Sequence, residues 1–326
     1  MGDIFLTTPI ISTLRKNYPN AVIDFYTKSQ YTQVVEDNPD ISSIYGWEYQ
    51  KESSMSLLIS KVSNRSYDHI FDLQNNWRSR QLSSRLTGKK HLVNKERFRR
   101  RLLVFFKWNT IRKRHVIDRY YALISDICDI PLERKIDHSS GENPSILHLH
   151  NIVFHRGTYL VWAIGAKQFT KRLPNSTVAE TLRSIPEKKI VLIGDHTDSE
   201  NAKKIKASLG NDGMHVIDFT GKTTYQESRQ LIQHAGLILT NDSIMMHVAA
   251  ASGNPMISFW GSTVPEFGFA PLSDKSTIIS APQKFSCRPC HTSGRSSCPK
   301  KHFGCMTTIE PSTIVTAILD RIKMAQ

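Results

Sequence analysis

The second half of the chain alternates short apolar runs with amphipathic stretches, as parallel strands and their crossover helices do. The apolar runs predict five strands, at residues 159–163, 189–193, 215–219, 237–240 and 256–259. The stretches between them predict helices at 177–185, 199–209, 225–235 and 244–252. Because strands that alternate with helices form a parallel sheet covered on both faces, this half is predicted to be a doubly wound α/β domain.

The first half carries a looser version of the same pattern. Thr8-Pro9 opens a predicted helix that ends near Asn17, and strands are predicted at 21–27 and 69–73. The polar run 139–145, which contains Gly and Pro, is the predicted linker. We therefore expect two domains, at residues 1–145 and 146–326.

The first predicted element is a helix that begins within eight residues of Met1. A doubly wound domain normally starts with a buried strand before its first helix. We expect a natural start upstream of Met1, because a sheet without its central strand would expose an edge that promotes aggregation. A sheet that lacks this strand is the alternative.

Length and composition describe a globular protein. The 326 residues are enough for two domains of ordinary size, and 39% of them are hydrophobic. No apolar run approaches the roughly 18 residues of a membrane span, and the first residues lack the features of a signal peptide. The expected compartment is the cytoplasm.

The positive charge is concentrated in one segment. The net charge is +14, and residues 78–119 contain 15 Lys or Arg against two acidic residues. Such a surface attracts an anionic partner: nucleic acid, acidic lipid headgroups, or a phosphorylated or carboxylated sugar. A solvated basic face is the alternative. The aromatic residues within this segment are expected in a helix core.

Polar residues follow several predicted strands, at the strand ends where open α/β sheets bind ligands. They lie at 165–171, at 194–200 and at 240–243, with His247 following on the next helix. Asn241-Asp242-Ser243 caps that helix, whose first amide groups suit a phosphate. Gly2-Asp3 and Thr7-Thr8 form a comparable group at the start of the chain.

These residues resemble the ADP-heptose:lipopolysaccharide heptosyltransferases of glycosyltransferase family 9. The anchors are Gly2-Asp3 through Thr7-Thr8-Pro9, Thr240-Asn241-Asp242-Ser243 through His247-Val248-Ala249-Ala250, and Pro255 through Glu266. The resemblance extends along nearly the whole chain. It implies a GT-B architecture, in which two Rossmann-like domains face a cleft, and an inverting transfer of a sugar from a nucleotide diphosphate donor.

The resemblance implies a role for each anchor. Asp3 matches the family's catalytic base, which removes a proton from the acceptor hydroxyl. No metal is required, because a lysine and helix-start amides stabilise the departing diphosphate. The residues assigned to the donor by resemblance are Lys171, Asp242, Ser243, His247, Ala166, Lys167, Asp198 at the ribose and Thr223 at the adenine.

The residue types by themselves also allow structural interpretations of these positions. Asp3 could be a charge partner at a helix N-terminus, and Lys171 an ordinary surface lysine. His247 could be a core histidine, Asp198 a turn residue and Thr223 a helix cap. The chain also departs from the family at Ile244, where Gly is usual, and at Lys167, where Thr is usual.

The basic segment acquires a partner through the resemblance, which implies an acidic lipid-linked sugar acceptor. Arg78, Arg80 and the neighbouring Arg85 are the candidates for its acidic groups, since Arg pairs with carboxylate and phosphate in bidentate geometry. Residues 95–114 are expected to contact the anionic inner face of the cytoplasmic membrane. The alternative is a non-catalytic anion or nucleic-acid binder that uses residues 78–119.

Four of the five cysteines lie close together near the C-terminus. Cys287, Cys290, Cys298 and Cys305 begin with a CxxC pair, which is typical of structural zinc sites, but their other spacings are not standard. A four-thiolate zinc site and reduced cysteines packed under a loop are both open.

Overall fold

The structure, a computed structural model, describes residues 1–48, 52–62, 65–112, 114–134, 144–185 and 188–324. The chain divides into two compact units. The first unit consists of Met1–Arg99 and Ile111–Gly141, and the second of Arg100–Thr110 and Glu142–Gln326. The predicted boundary at residue 145 stays a prediction.

The described residues contain strands and helices of ordinary length. The strands are β1 Asp24–Lys28, β2 Ser43–Trp47, β3 Ser66–Asp72, β4 Thr87–Leu92, β5 Ile146–Leu149, β6 Ile152–His155, β7 Tyr159–Ala163, β8 Lys189–Ile193, β9 Val216–Asp218, β10 Leu237–Asn241, β11 Met256–Trp260 and β12 Ser276–Ser280. The helices are α1 Gly2–Phe5, α2 Thr8–Asn17, α3 Glu52–Val62, α4 Trp77–Arg85, α5 Arg97–Phe106, α6 Val116–Tyr121, α7 Asn175–Arg183, α8 Ser199–Leu209, α9 Tyr225–His234, α10 Ile244–Ser252, α11 Gly304–Thr307 and α12 Pro311–Lys323.

The second unit is built on one parallel sheet. Within the described part of the chain this sheet has six strands in the order β12-β11-β10-β7-β8-β9. Every residue of β7, β10 and β11 is buried, because helices cover both faces of the sheet. The core includes Trp162, Leu192 and Phe259 on the strands, together with Leu182 of α7 and Ile314 of α12.

The described residues of the first unit form two separate parallel pairs of strands. β1 pairs with β2 and β3 pairs with β4. The strands of both pairs are mostly half-buried or exposed, and one cluster buries only Leu58, Val62, Leu82 and Leu86 fully. In the described residues, β1 is the first strand, and it follows α1 and α2.

The predicted elements of the second half are largely confirmed. β7, β8, α8 and α10 have the predicted bounds, and the other predicted elements differ by a few residues at their ends. The prediction of five strands is wrong by one, because β12 adds a parallel edge strand. The antiparallel hairpin β5-β6 is a further element that the sequence pattern does not predict. Residues 139–143 of the predicted linker lie outside the described residues.

The prediction that the aromatic residues of the basic segment form a helix core is wrong. Phe98, Phe105, Phe106 and Trp108 are all exposed. Helix α5 instead buries the opposite side, where Leu103 lies.

Candidate functional site

The strand order of the second unit reverses between β7 and β10. Chain connections leave this point in opposite directions, which opens a crevice at the carboxyl ends of the strands. Asn241, the last residue of β10, ties the two strand ends together. Its side-chain amide donates to Ile164 O at 2.8 Å, and its Oδ1 accepts a hydrogen bond from Leu173 N at 3.1 Å. The loop between residues 164 and 173 is thereby held beside the start of α10.

Lys171, Asp242 and Thr263 meet at this switch point. Asp242 Oδ2 lies 2.7 Å from Lys171 Nζ and accepts a hydrogen bond from Thr263 Oγ1 at 2.6 Å. Both charged side chains are mostly buried. The structure therefore brings together two residues predicted for the donor, and it adds Thr263, which was not among the predicted site residues.

A buried arginine holds the segment that carries Thr263. The Arg288 guanidinium donates to Trp260 O at 3.1 Å and to Thr263 O at 3.2 Å. Burial lowers the pKa of Arg288, and the backbone carbonyls that it bonds compensate in part for the lost hydration. Nothing in the local sequence signals this contact, because 25 residues separate Arg288 from Thr263.

The cysteine-rich segment also packs on the Lys171 loop. Thr170 Oγ1 shares a hydrogen bond with Ser262 Oγ at 2.8 Å and accepts another from Arg295 N at 2.8 Å. The Thr170 amide donates to Arg295 O at 3.1 Å. The loop that carries Lys171 is therefore held by Asn241 on one side and by Ser262 and Arg295 on the other.

Helix α10 begins beside this cluster. Ser243 is its N-cap residue and makes no side-chain capping hydrogen bond to the described residues, so its hydroxyl does not satisfy the first-turn amides. His247 lies buried on the same helix. The predicted group Asp242, Ser243 and His247 is thus gathered at one helix start, which suits an anion.

Asp198 is buried in a way that favours a structural role. Its Oδ2 accepts a hydrogen bond from Asp195 N at 3.2 Å, and Arg172 Nη1 lies 3.1 Å from its Oδ1. Burial raises the pKa of Asp198, and Arg172 opposes that shift. A Cβ on Gly165 would lie 2.1 Å from Asp198 Oδ2, so the carboxylate occupies the space that this glycine leaves. Its assignment to the ribose stays a prediction.

The other donor candidates lie on loops of the same unit. Ala166 is buried and its carbonyl accepts a hydrogen bond from Arg172 Nε at 2.7 Å, whereas the neighbouring Lys167 is exposed. The Thr223 hydroxyl shares a hydrogen bond with Ser228 Oγ at 2.8 Å. The N-cap of α9 is Thr224, so Thr223 is not the capping residue.

Asp3 lies in the first unit, in the only turn of α1. Ile4 and Phe5 beside it are buried, whereas Asp3 is half-buried. The Thr7 hydroxyl donates to Ile4 O at 2.6 Å, and the Thr8 hydroxyl donates to Phe5 O at 2.8 Å. Both hydroxyls therefore stabilise the backbone turn that carries Asp3.

Arg78 and Arg80 lie on the first turn of α4, after a polar loop. Buried Asp72 fixes this loop by accepting hydrogen bonds from Asn75 N at 2.6 Å and Ser79 Oγ at 2.8 Å. The Arg78 guanidinium lies 4.3 Å from the centroid of the Trp77 ring. Arg80 Nε donates to Asn75 Oδ1 at 2.8 Å and its side chain remains exposed.

The four clustered cysteines line one small pocket with His302. Burial raises the pKa of the Cys305 thiol to about 11 and also raises that of Cys290, which favours protonated thiols. Among the residues that the structure describes, no three His, Cys, Asp or Glu are arranged to hold a metal ion. Of the two open alternatives, the described residues therefore give the four-thiolate zinc site no support.

None of the helices in the described ranges combines the length and the apolar character that crossing a membrane requires.

Residues 55–301 match the family model of glycosyltransferase family 9 (heptosyltransferase). The chain is 25% identical over 282 residues to lipopolysaccharide heptosyltransferase 3 of Escherichia coli K12. The aligned residues make up 80% of this chain and 80% of that relative. It is also 25% identical over 304 residues to lipopolysaccharide heptosyltransferase 2 of the same strain. That alignment includes 86% of this chain and 85% of that relative.

Solved heptosyltransferases share the fold. The structure of E. coli ADP-heptose lps heptosyltransferase II superposes with a TM-score of 0.72 at 20% identity and covers 99% of this chain and 96% of that one. E. coli heptosyltransferase WaaC with ADP gives a TM-score of 0.71 at 15% identity, with 98% and 96% covered. The predicted α/β GT-B fold is confirmed by these likenesses.

Proposed function

Because this chain belongs to glycosyltransferase family 9 (heptosyltransferase) and is a glycosyltransferase, we propose that it moves a heptose from ADP-heptose to an acidic sugar of a lipopolysaccharide core, with inversion at the anomeric carbon. A non-catalytic anion or nucleic-acid binder, the alternative raised by the basic segment, does not agree with membership of an enzyme family.

The observation that carries the proposal is the cluster of Lys171, Asp242 and Thr263 at the switch point of the second unit. Open α/β sheets bind nucleotides at this place. The Lys171 ammonium group and the adjacent first turn of α10 suit the diphosphate of a nucleotide sugar. The solved WaaC structure of the same fold contains ADP, which supports an adenine nucleotide as the carrier.

The ion pair suggests that Lys171 and Asp242 bind different parts of the donor. Asp242 Oδ2 lies 2.7 Å from Lys171 Nζ, so this carboxylate neutralises the ammonium group. A bound diphosphate would share the Lys171 ammonium, while the Asp242 carboxylate can accept hydrogen bonds only from donors such as sugar hydroxyls. We therefore assign Lys171 and Ser243 to the diphosphate and Asp242 to the transferred sugar. His247, Ala166, Lys167, Asp198 and Thr223 complete the proposed donor site.

We assign the general base to Asp3. The acceptor hydroxyl oxygen attacks the anomeric carbon, and its proton passes to the Asp3 carboxylate. The bond from the anomeric carbon to the phosphate oxygen breaks in the same step, and ADP leaves with that electron pair. A single displacement inverts the configuration at the anomeric carbon. Lys171 and the α10 amides stabilise the charge that develops on the leaving group.

We assign the acidic acceptor to the first unit. The capping box at the start of α4 and the loop fixed by Asp72 present Arg78 and Arg80 from a defined backbone. Their guanidinium groups suit the carboxylates and phosphates of an acidic sugar. In this assignment residues 1–145 bind the acceptor and residues 146–326 bind the donor, at the cytoplasmic face of the inner membrane.

Thermal unfolding with ADP, UDP and GDP tests the donor assignment, because a ligand of the native state raises its stability. We expect ADP to raise the melting temperature most. Lys171→Met should remove most of the shift, while Lys206→Met, which changes an exposed lysine on α8, should keep it. An unchanged shift in Lys171→Met, or no shift with any nucleotide, would refute the proposed site.

A further inference from the structure

Helix α5 presents aromatic side chains to solvent. Phe98, Phe105 and Phe106 are 73%, 71% and 60% exposed. Phe98 and Phe105 are seven residues apart, so they lie on one face of the helix. Trp108 follows directly, is 63% exposed, and its ring lies 5.5 Å from that of Phe106. Large exposed apolar side chains grouped on one helix in this way usually mark an interaction site.

Contacts on the opposite side fix the orientation of this helix. Leu103 is buried. The Arg100 guanidinium donates to Phe267 O at 2.9 Å and lies 5.2 Å from the centroid of the Phe269 ring. Lys107 Nζ donates to Pro289 O at 2.8 Å. The aromatic face cannot turn inward without breaking these contacts.

The exposed charged residues between positions 97 and 117 are all basic. Arg97, Arg101, Arg112 and Arg114 are exposed, and the sequence has no acidic residue from 97 to 117. An anionic surface would complement them. A second copy of the same surface would place like charges opposite each other, which opposes pairing of two chains through α5.

We propose that α5 and Trp108 dock on an anionic phospholipid bilayer, with Phe98, Phe105 and Phe106 inserted at the boundary between headgroups and acyl chains. The arginines lie among the lipid phosphates. This is the arrangement of an interfacial amphipathic helix, whose binding combines buried apolar area with attraction to anionic lipid. The inference extends the proposed function, whose acceptor is lipid-linked, by naming the side chains that insert.

Flotation with phosphatidylcholine vesicles, with and without phosphatidylglycerol, tests the proposal on the full chain. We expect binding only with phosphatidylglycerol. The triple variant Phe98→Ser, Phe105→Ser, Phe106→Ser should lower the partition coefficient roughly 100-fold, because three apolar side chains no longer insert. The matched control Val22→Ser with Met214→Ser, which changes two exposed apolar residues elsewhere, should bind as the native chain does.

A second measurement separates insertion from charge attraction. Brominated acyl chains should quench the fluorescence of Trp108, and Trp108→Phe should lose that quenching. Arg101→Gln with Arg112→Gln should weaken binding most at low salt, since salt screens exposed charges. The phenylalanine variant should weaken binding at both low and high salt.

The possible results are distinguishable. Native-like flotation of the triple phenylalanine variant would overturn the proposal, as would a native dimer that this variant dissociates in the absence of vesicles. A phenylalanine-dependent gel shift with single-stranded RNA but no vesicle binding would also overturn it. Transfer from ADP-heptose to a soluble delipidated acceptor tests the proposed function separately, because that reaction needs no bilayer.

Discussion

The two units of this chain bury their strands to different degrees. In the second unit, six parallel strands form one sheet within the described residues, and β7, β10 and β11 are buried at every position. In the first unit, the strands form two separate pairs, and β4 is half-buried or exposed throughout. The proposed donor site therefore rests on a continuous buried sheet, whereas the proposed acceptor residues Arg78 and Arg80 follow β3, whose partner strand β4 is largely exposed.

The largest expected effect is loss of transfer without loss of nucleotide binding, when the proposed base of the first unit is removed. Asp3→Asn should lower transfer by roughly 1000-fold or more, because the amide cannot take the acceptor's proton. ADP affinity should hardly change, since Asp3 belongs to the first unit. Single-turnover transfer and ADP titration measure the two quantities. A large loss of ADP affinity in Asp3→Asn would make this residue part of the donor site.

The next effect tests the difference in burial. Leu192→Ala should cost about 4–5 kcal/mol of unfolding free energy, since Leu192 is fully buried on β8 in the continuous sheet. Leu82→Ala, in the small cluster of the first unit, should cost about 2 kcal/mol. Guanidinium unfolding followed by circular dichroism measures both. Equal costs would show that the two cores are alike and would remove the contrast.

A smaller effect should follow loss of Arg288. Arg288→Met removes the donors to Trp260 O and Thr263 O, so Thr263 should no longer hold Asp242 firmly. We expect about tenfold weaker ADP binding, of the size of one charge-assisted hydrogen bond. Arg183→Met, which removes an exposed ion pair on α7, is the matched control. Equal effects of the two variants would exclude the positioning role of Arg288.

Asp242→Asn should separate sugar from diphosphate. ADP should bind as well as before or a few-fold more tightly, because Lys171 loses its partner. Transfer should fall, because an amide accepts hydrogen bonds from the sugar less well than a carboxylate. Isothermal titration measures the affinity for ADP, and single-turnover reactions with ADP-heptose measure the rate of transfer. Weaker binding of ADP itself would contradict the assignment of Asp242 to the sugar.

The smallest effect concerns pH. Burial raises the pKa of Asp198 above its ordinary value. An acid with a raised native pKa stabilises the fold below its ordinary pKa, and this contribution is lost as the pH rises through the native value. Asp198→Asn should therefore remove a part of the decline in stability over that window. Denaturation midpoints across pH measure it, and identical slopes in both proteins would contradict the prediction.

The sequence predicted the second unit better for a physical reason. Strands covered on both faces are continuously apolar, so β7 and β8 appear in the sequence with their observed bounds. Edge strand β12 is flanked by serines and carries no such signal. In α5 the hydrophobic pattern is real, but the aromatic side faces outward, and periodicity does not say which side a helix buries.

The site was predictable where its residues are local in sequence and where the family resemblance assigned them, as it did for Lys171. Asp242, Ser243 and His247 lie at one strand end and helix start, so their grouping follows from the topology. Thr263 and Arg288 reach the same place through tertiary contacts that no spacing records. Asp198 matched a binding position in sequence, yet its burial beneath Gly165 depends on packing.

The product of a single reaction tests whether this chain transfers a heptose from an adenine nucleotide with inversion. The full chain is incubated with ADP-heptose and an acidic lipopolysaccharide core acceptor, and the anomeric configuration of the product is read by NMR. We expect release of ADP and a new glycosidic bond of opposite configuration to the donor. A product that retains the donor configuration, or no transfer by a folded chain that binds ADP, would contradict it.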